Sequence, residues 1–139
     1  MVTVFRYGDV ELKQVCWLEV TATIPLSELN PGKYNVSLKV RLKQDVVGWD
    51  KLPIQIMAKI GKKGKYKWQT NFLDIIEHPD RKFLLSLDEI VVTIAHLKDK
   101  NDIVYFGLYE VWRGRWKGGL VLEEAILRKL YSPFTKQAE

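Results

Sequence analysis

Apolar and polar residues alternate along much of the chain. The alternation is strictest in KYNVSLKVRLK (33–43), where Tyr34, Val36, Leu38, Val40 and Leu42 interleave with polar partners. Successive side chains of a strand point to opposite faces, so this segment predicts a strand with one buried face. VCWLEVTATI (15–24) repeats the pattern, with Cys16, Leu18, Val20, Ala22 and Ile24 inward and Trp17, Glu19, Thr21 and Thr23 outward. Leu52, Ile54, Ile56, Ala58 and Ile60 form a further inward set, and Tyr66, Trp68 and Thr70 a shorter one that assigns Trp68 to the core. EIVVTIAHL (89–97) and IVYFGLYEVW (103–112) predict two more strands, the first continuing through His96. LSEL (26–29) fits one helical turn. LVLEEAILRKLY (120–131) has apolar residues at helical and at strand spacings, and periodicity leaves it open.

Turn signals separate these segments at NPG (30–32), VGWD (47–50), GKKG (61–64), HPD (78–80) and KDKND (98–102). Their spacing is that of an antiparallel sandwich, and no strand–helix–strand alternation is present. The expected fold is an all-β antiparallel sandwich forming a single domain over 1–139, a length that can bury a self-sufficient core.

Composition narrows the functional classes. The lone Cys16 has no internal disulfide partner, and with no signal-peptide pattern at the start the expected compartment is the cytoplasm. No apolar run approaches the roughly 18 residues of a membrane helix, so no span is expected. The formal charge of +5 is local: Lys59, Lys62, Lys63, Lys65 and Lys67 fall in one nine-residue stretch without an acid, and without them 17 basic residues face 17 acidic ones. The stretch reads either as a solvated hairpin tip turned by Gly61 and Gly64, or as a patch for an anionic partner or nuclear import.

Catalytic and metal-binding patterns are missing from the sequence. His78 and His96 have no second ligand at metal spacing, and no phosphate-cradling glycine loop or nucleophile elbow occurs. His78 is expected in a surface loop beside Pro79. No cofactor and no enzyme activity are expected. What stands out is the aromatic content: five tryptophans, at 17, 49, 68, 112 and 116. Trp49 follows Gly48 in a loop, Trp17 shares a face with polar residues, and Trp116 lies in the turn RGRWKGG, which needs only its glycines for geometry. Trp112 reads equally as core, continuing Val104, Phe106 and Leu108, or as exposed. An exposed indole is a flat apolar plate that stacks on a pyranose ring or a nucleobase. Arg113, Arg115 and Lys117 favour the nucleobase, whereas Glu110 favours the sugar.

VCWLEV (15–20), LNPGKYNVSLKVRLK (29–43) with the loop GWD, and above all LYEVWRGRWKGGLVLE (108–123) resemble the phloem protein 2 family of tobacco agglutinin-like lectins, over about residues 10–130 and with a length like that of the short cucurbit phloem lectins. The resemblance implies a sandwich of jelly-roll type, with 120–131 a strand. It implies no enzyme activity, reversible binding of N-acetylglucosamine oligomers (chito-oligosaccharides and the N-glycan core of glycoproteins), a nucleocytoplasmic and phloem-sap location, and homodimerisation. By the same resemblance Trp116 and Lys117 fall on the family's Trp-Lys pair, Glu110 on its preceding glutamate and Trp49 on its Gly-Trp loop. The expected carbohydrate-binding residues are therefore Trp49, Glu110, Trp112, Trp116 and Lys117. Longer members carry a tryptophan-rich segment ahead of the Cys-Trp-Leu-Glu strand, where this chain has Phe5 and Tyr7. The alternative reading is an RNA- or ribonucleoprotein-binding module using the lysine hairpin.

Overall fold

A computed structural model describes residues 2–12, 18–47, 53–74, 79–99, 101–110 and 118–130. Among these described residues, eight strands form two four-stranded antiparallel sheets: β1 (Val2–Leu12), β8 (Gly118–Leu130), β3 (Gly32–Val47) and β6 (Lys82–Val92) in the order β1-β8-β3-β6, and β2 (Leu18–Pro25), β7 (Ile103–Glu110), β4 (Pro53–Ile60) and β5 (Lys67–Phe72) in the order β2-β7-β4-β5. Every connection except the β4–β5 hairpin carries the chain from one sheet to the other. Strand 1 thus pairs with 8, 2 with 7, 3 with 6 and 4 with 5, the order produced by rolling one long ribbon, which is the jelly roll. The segment with mixed periodicity is strand β8, as the resemblance implies.

The core is built by the alternation. On β3 the side chains of Tyr34, Val36, Leu38, Val40 and Leu42 are buried, and they meet Ile54, Ile56 and Ala58 of β4 and Val104, Phe106 and Leu108 of β7 in one continuous cluster. Burying a side chain of this size contributes about 1.5–3 kcal/mol, so the inward face of β3 is a major block of stabilisation. Ala22 and Ile24 of β2 bury as expected, with Thr21 and Thr23 exposed. Leu26–Glu28 is one 3₁₀ turn.

Gly107 is needed where β7 pairs with Thr21 of β2. A Cβ there would collide with the Val20 carbonyl, and any larger residue would push the two strands apart.

Two segments depart from the periodic reading. The strand expected at 89–97 runs instead from Lys82 to Val92, because Phe83, Leu85 and Leu87 continue its inward face toward the N-terminal side. His96 is not in a strand. It opens the 3₁₀ turn His96–Lys98, and its Nδ1 accepts the Thr93 amide hydrogen at 2.9 Å. The exchange of that short-range bond for a ladder bond ends the strand at Val92.

Tyr34 joins the core to the turn before it. The ring is fully buried while its hydroxyl donates to the Asn30 carbonyl at 2.7 Å and accepts from the Asn30 N–H at 3.1 Å, clamping the NPG turn. Removing only the hydroxyl, in Tyr34→Phe, is expected to cost about 1 kcal/mol. Tyr34→Ala, which also empties the ring's volume, is expected to cost about 3–5 kcal/mol. Urea denaturation of both variants measures this, and an unchanged stability of Tyr34→Phe would show that the hydroxyl clamp contributes nothing.

Candidate functional site

The outer faces of the two sheets differ in chemistry. Across the β1-β8-β3-β6 sheet run ion pairs: Arg6–Glu124, Lys33–Glu89 and Arg41–Glu123 at 3.5 Å, and Lys43–Glu11 at 2.8 Å. These are partly exposed pairs worth little to stability, but they make a charged, hydrated surface. The outer face of the β2-β7-β4-β5 sheet carries aromatic rings, hydroxyls and amides.

β5 is built with its polarity reversed. The register sets Trp68 beside Met57 and Thr70 beside Gln55, which places Tyr66, Trp68, Thr70 and Phe72 on the outer side. Trp68 is 43% exposed and Phe72 58%. This corrects the sequence-based assignment of Tyr66, Trp68 and Thr70 to the core. The inner side of β5 instead carries amides. Asn71 bonds both the Ser86 carbonyl and the Ser86 N–H, at 2.9 and 3.1 Å, and Gln69 accepts from the Asp88 N–H at 2.9 Å. These side chains occupy backbone groups of the edge strand β6 and close that side of the sandwich. A period of two shows which residues share a face; it does not show which face is inside.

The rings form a connected platform. Tyr66 and Trp68 lie 5.5 Å apart between centroids, and Trp68 meets Tyr109 of β7 edge-on at the same distance. Lys59 of β4 sits with its Nζ 4.9 Å from the Tyr66 ring and 4.7 Å from the Tyr105 ring, and donates to the Lys62 carbonyl at 3.2 Å. Met57, on the outward side of β4 and in register with Trp68 and Gly107, is only 1% exposed. The platform therefore rests on a buried thioether side chain at its centre. Thr70 and Gln55, hydrogen-bonded at 3.0 Å, and the exposed Thr21 and Thr23 add neutral polar groups on the same face. Flat apolar plates beside uncharged donors and acceptors suit a ligand whose rings have one apolar face and a hydroxylated rim.

The lysine hairpin lies at one end of the sandwich and is pinned. Gly61 donates to the Ile103 carbonyl at 2.9 Å and Gly64 to the Gly61 carbonyl at 3.1 Å, while Asp102 accepts from the N–H groups of Lys62 and Ile103, each at 2.9 Å. Gly61 has φ +81°, and a Cβ on it would stand 2.7 Å from the Asp102 carboxylate, so both backbone and space require glycine. Lys62, Lys63, Lys65 and Lys67 are exposed.

Of the residues expected at a carbohydrate site, Trp49, Trp112, Trp116 and Lys117 lie outside the described residues, as do Cys16, Trp17 and His78. Glu110 closes β7 in register with Leu18. The strand ends that flank these positions are brought together: Leu18 pairs with Glu110, Leu12 with Leu120 and Val47 with Gly118, all at the end of the sandwich opposite the lysine hairpin. Phe72, in register with Pro53, carries the aromatic face to that same end. Among the described residues no group of three or more His, Cys, Asp or Glu is placed to hold a metal, and no helix is long and apolar enough to cross a membrane.

A family model described as phloem protein 2 matches residues 8–129. The chain is similar to Protein PHLOEM PROTEIN 2-LIKE A9 of Arabidopsis thaliana, 41% identical over 133 residues, covering 86% of this chain and 71% of that protein. It is 33% identical over 120 residues to Protein PHLOEM PROTEIN 2-LIKE A1 of the same plant, covering 86% of this chain and 47% of that protein. It is 25% identical over 114 residues to a protein named Lectin from Luffa acutangula, covering 81% and 53%. The chain therefore spans about half the length of the last two. Among solved structures, the CBM22-1 xylan-binding domain of Xyn10C from Paenibacillus barcinonensis superposes with a TM-score of 0.44 at 9% identity, covering 79% of this chain and 64% of that one.

The two N–H groups that bond Asp102, Ile103 first and Lys62 second, hold its carboxyl below the usual carboxylate range. A depressed folded value means that the stabilisation is fully present above the unfolded carboxylate value and is lost as pH falls through the folded one. The Lys62 amide proton resonance is therefore expected to titrate with a midpoint below that of an exposed aspartate, and to stop titrating in Asp102→Asn. A midpoint at the ordinary value would remove Asp102 as the pin of the hairpin.

Proposed function

The chain belongs to the phloem protein 2 family, and on that premise we propose that it is a carbohydrate-binding lectin, not an enzyme, that reversibly binds N-acetylglucosamine oligomers. The observation that carries the reading is the reversal of β5, which sets Tyr66, Trp68 and Phe72 outward beside Tyr109 and turns amides inward. Exposing large rings on a strand forfeits burial energy that the core could have used, and such local violations of the inside-out rule concentrate at functional sites. The name of the Luffa acutangula relative supports the same class.

In this reading the sugar chain lies along the platform toward the end where Trp49, Glu110, Trp112, Trp116 and Lys117 are carried. Trp49, Trp112 and Trp116 stack on further rings, Glu110 accepts hydroxyl hydrogen bonds and Lys117 donates to hydroxyl or acetamide oxygens. One stacked ring contributes on the order of 1 kcal/mol beyond its buried area, so a single plate binds weakly. Useful affinity comes from several subsites in one chain, reinforced by two sites in a homodimer on a multivalent glycoprotein.

A second reading, single-stranded RNA, is favoured by one feature: the exposed Lys62, Lys63, Lys65 and Lys67 flank Tyr66 and Trp68, mixing cations with stacking rings. Salt separates the two, since phosphate contacts release counterions and sugar contacts do not.

Titrating N-acetylglucosamine trimer against tryptophan fluorescence is expected to give a saturable change, tighter than for the monosaccharide and unaltered between 50 and 500 mM salt. Trp68→Ala and Trp116→Ala are each expected to weaken it about five- to tenfold, the equivalent of about 1 kcal/mol or slightly more. Equal affinity for monomer and trimer would end the extended-site reading. No sugar response together with salt-sensitive RNA binding would replace the lectin by the second reading.

A further inference from the structure

At the end of the sandwich opposite the expected sugar loops, a cleft of about 280 Å³ opens between the β4–β5 hairpin and the end of β6, lined by Ala58, Ile60, Gly64, Lys65, Lys67, Ile90, Val91 and His96. Its floor is apolar: Ala58 and Ile90 belong to the core cluster and Ile60 packs against it. Its polar side chains, Lys65, Lys67 and His96, each offer N–H donors. Lys65 and Lys67 are exposed and have neither an ion-pair nor a hydrogen-bond partner among the described residues. His96 uses Nδ1 to accept the Thr93 amide hydrogen at 2.9 Å, so the neutral ring carries its proton on Nε2 and offers a third donor. No acidic side chain is among the lining residues. Asp102 of the β6–β7 connection, which bonds the hairpin, is already engaged with the Lys62 and Ile103 amides.

The cations are also held in place. A lysine run on a free loop is ordinarily a solvated surface, but this hairpin is tied to β7 through Gly61 and to the β6–β7 connection through Asp102. The backbone that presents Lys65 and Lys67 is thereby fixed over an apolar floor. Fixing the donors in advance lowers the cost of ordering them around a ligand.

We propose that this cleft is a binding site for a small organic anion with an apolar body, a monocarboxylate of roughly the size of an aryl or short alkyl acid. The carboxylate pairs with Lys65 and Lys67 and accepts from His96, and the apolar body covers Ile60, Ile90 and Val91. Charge complementarity excludes a cation, and the apolar floor distinguishes such an acid from a bare inorganic anion. The site is separate from the aromatic platform: Lys67 is in register with the inward-facing Ala58, one residue out of phase with Trp68.

The test is a ¹H–¹⁵N NMR titration of the full chain with phenylacetate, with neutral phenylacetamide and inorganic phosphate as controls. Saturable shifts are expected at the amides of Lys65, Lys67, Val91 and His96, with phenylacetamide and phosphate each binding at least tenfold more weakly. The Lys65→Ala/Lys67→Ala double variant, which touches only exposed side chains, is expected to keep a dispersed spectrum and its response to N-acetylglucosamine trimer while losing phenylacetate affinity at least tenfold. No saturable shift at these amides would overturn the proposal. So would binding of phenylacetamide or phosphate as tight as that of phenylacetate, or undiminished binding by the double variant.

Discussion

Burial of the inward face of β3 against β4 and β7 is the contact on which the rest of the molecule depends. Tyr34, Val36, Leu38, Val40 and Leu42 come from one sheet, Ile54, Ile56, Val104, Phe106 and Leu108 from the other, and together they seal a dry interior. With both inner faces committed to each other, functional chemistry is confined to the outer faces and the two ends. The jelly-roll order then distributes the loops, since strands that alternate between sheets deliver four connections to one end and the remainder to the other.

That constraint explains why the two sheets present different surfaces. The β1-β8-β3-β6 sheet dresses its outer side with crossed ion pairs, which keep it hydrated. The other sheet has Gly107 at its centre, the buried Met57 in register with it, and rings from β5 and β7 on the same face. The lysine hairpin and its cleft lie at one end, while Glu110 and the strand ends flanking the other tryptophans lie at the opposite end, about 25 Å away for strands of eight residues. A neutral, ring-stacking ligand and an anionic one would thus be met on different parts of the molecule.

Much of this was legible from the residues. The strict alternation of 33–43 identified β3 and its core face, the glycines of GKKG marked the hairpin turn, and LYEVWRGRWKGGLVLE carried the family resemblance and with it the jelly roll. β5 departs from its periodic pattern for a physical reason. Its aromatic set has the same spacing as a core face, and only the amide bonds of Gln69 and Asn71 to β6, long-range contacts invisible in the local pattern, turn that set outward. His96 was misplaced because a bond three residues back to Thr93 outcompeted the ladder. β1 went unassigned, since VTVFRYGDVEL alternates weakly and breaks register between Arg6 and Val10. The platform is hidden in the local pattern for the same reason as the facing of β5.

The proposed sugar platform is the outer face of the β2-β7-β4-β5 sheet. A crystal structure of the chain with N-acetylglucosamine trimer tests it most directly. The prediction is a trimer with at least one pyranose ring stacked on Trp68 or Tyr109 and its chain directed toward Glu110. A trimer seated on the ion-paired face of the opposite sheet, or at the lysine hairpin with the platform bare, would contradict it.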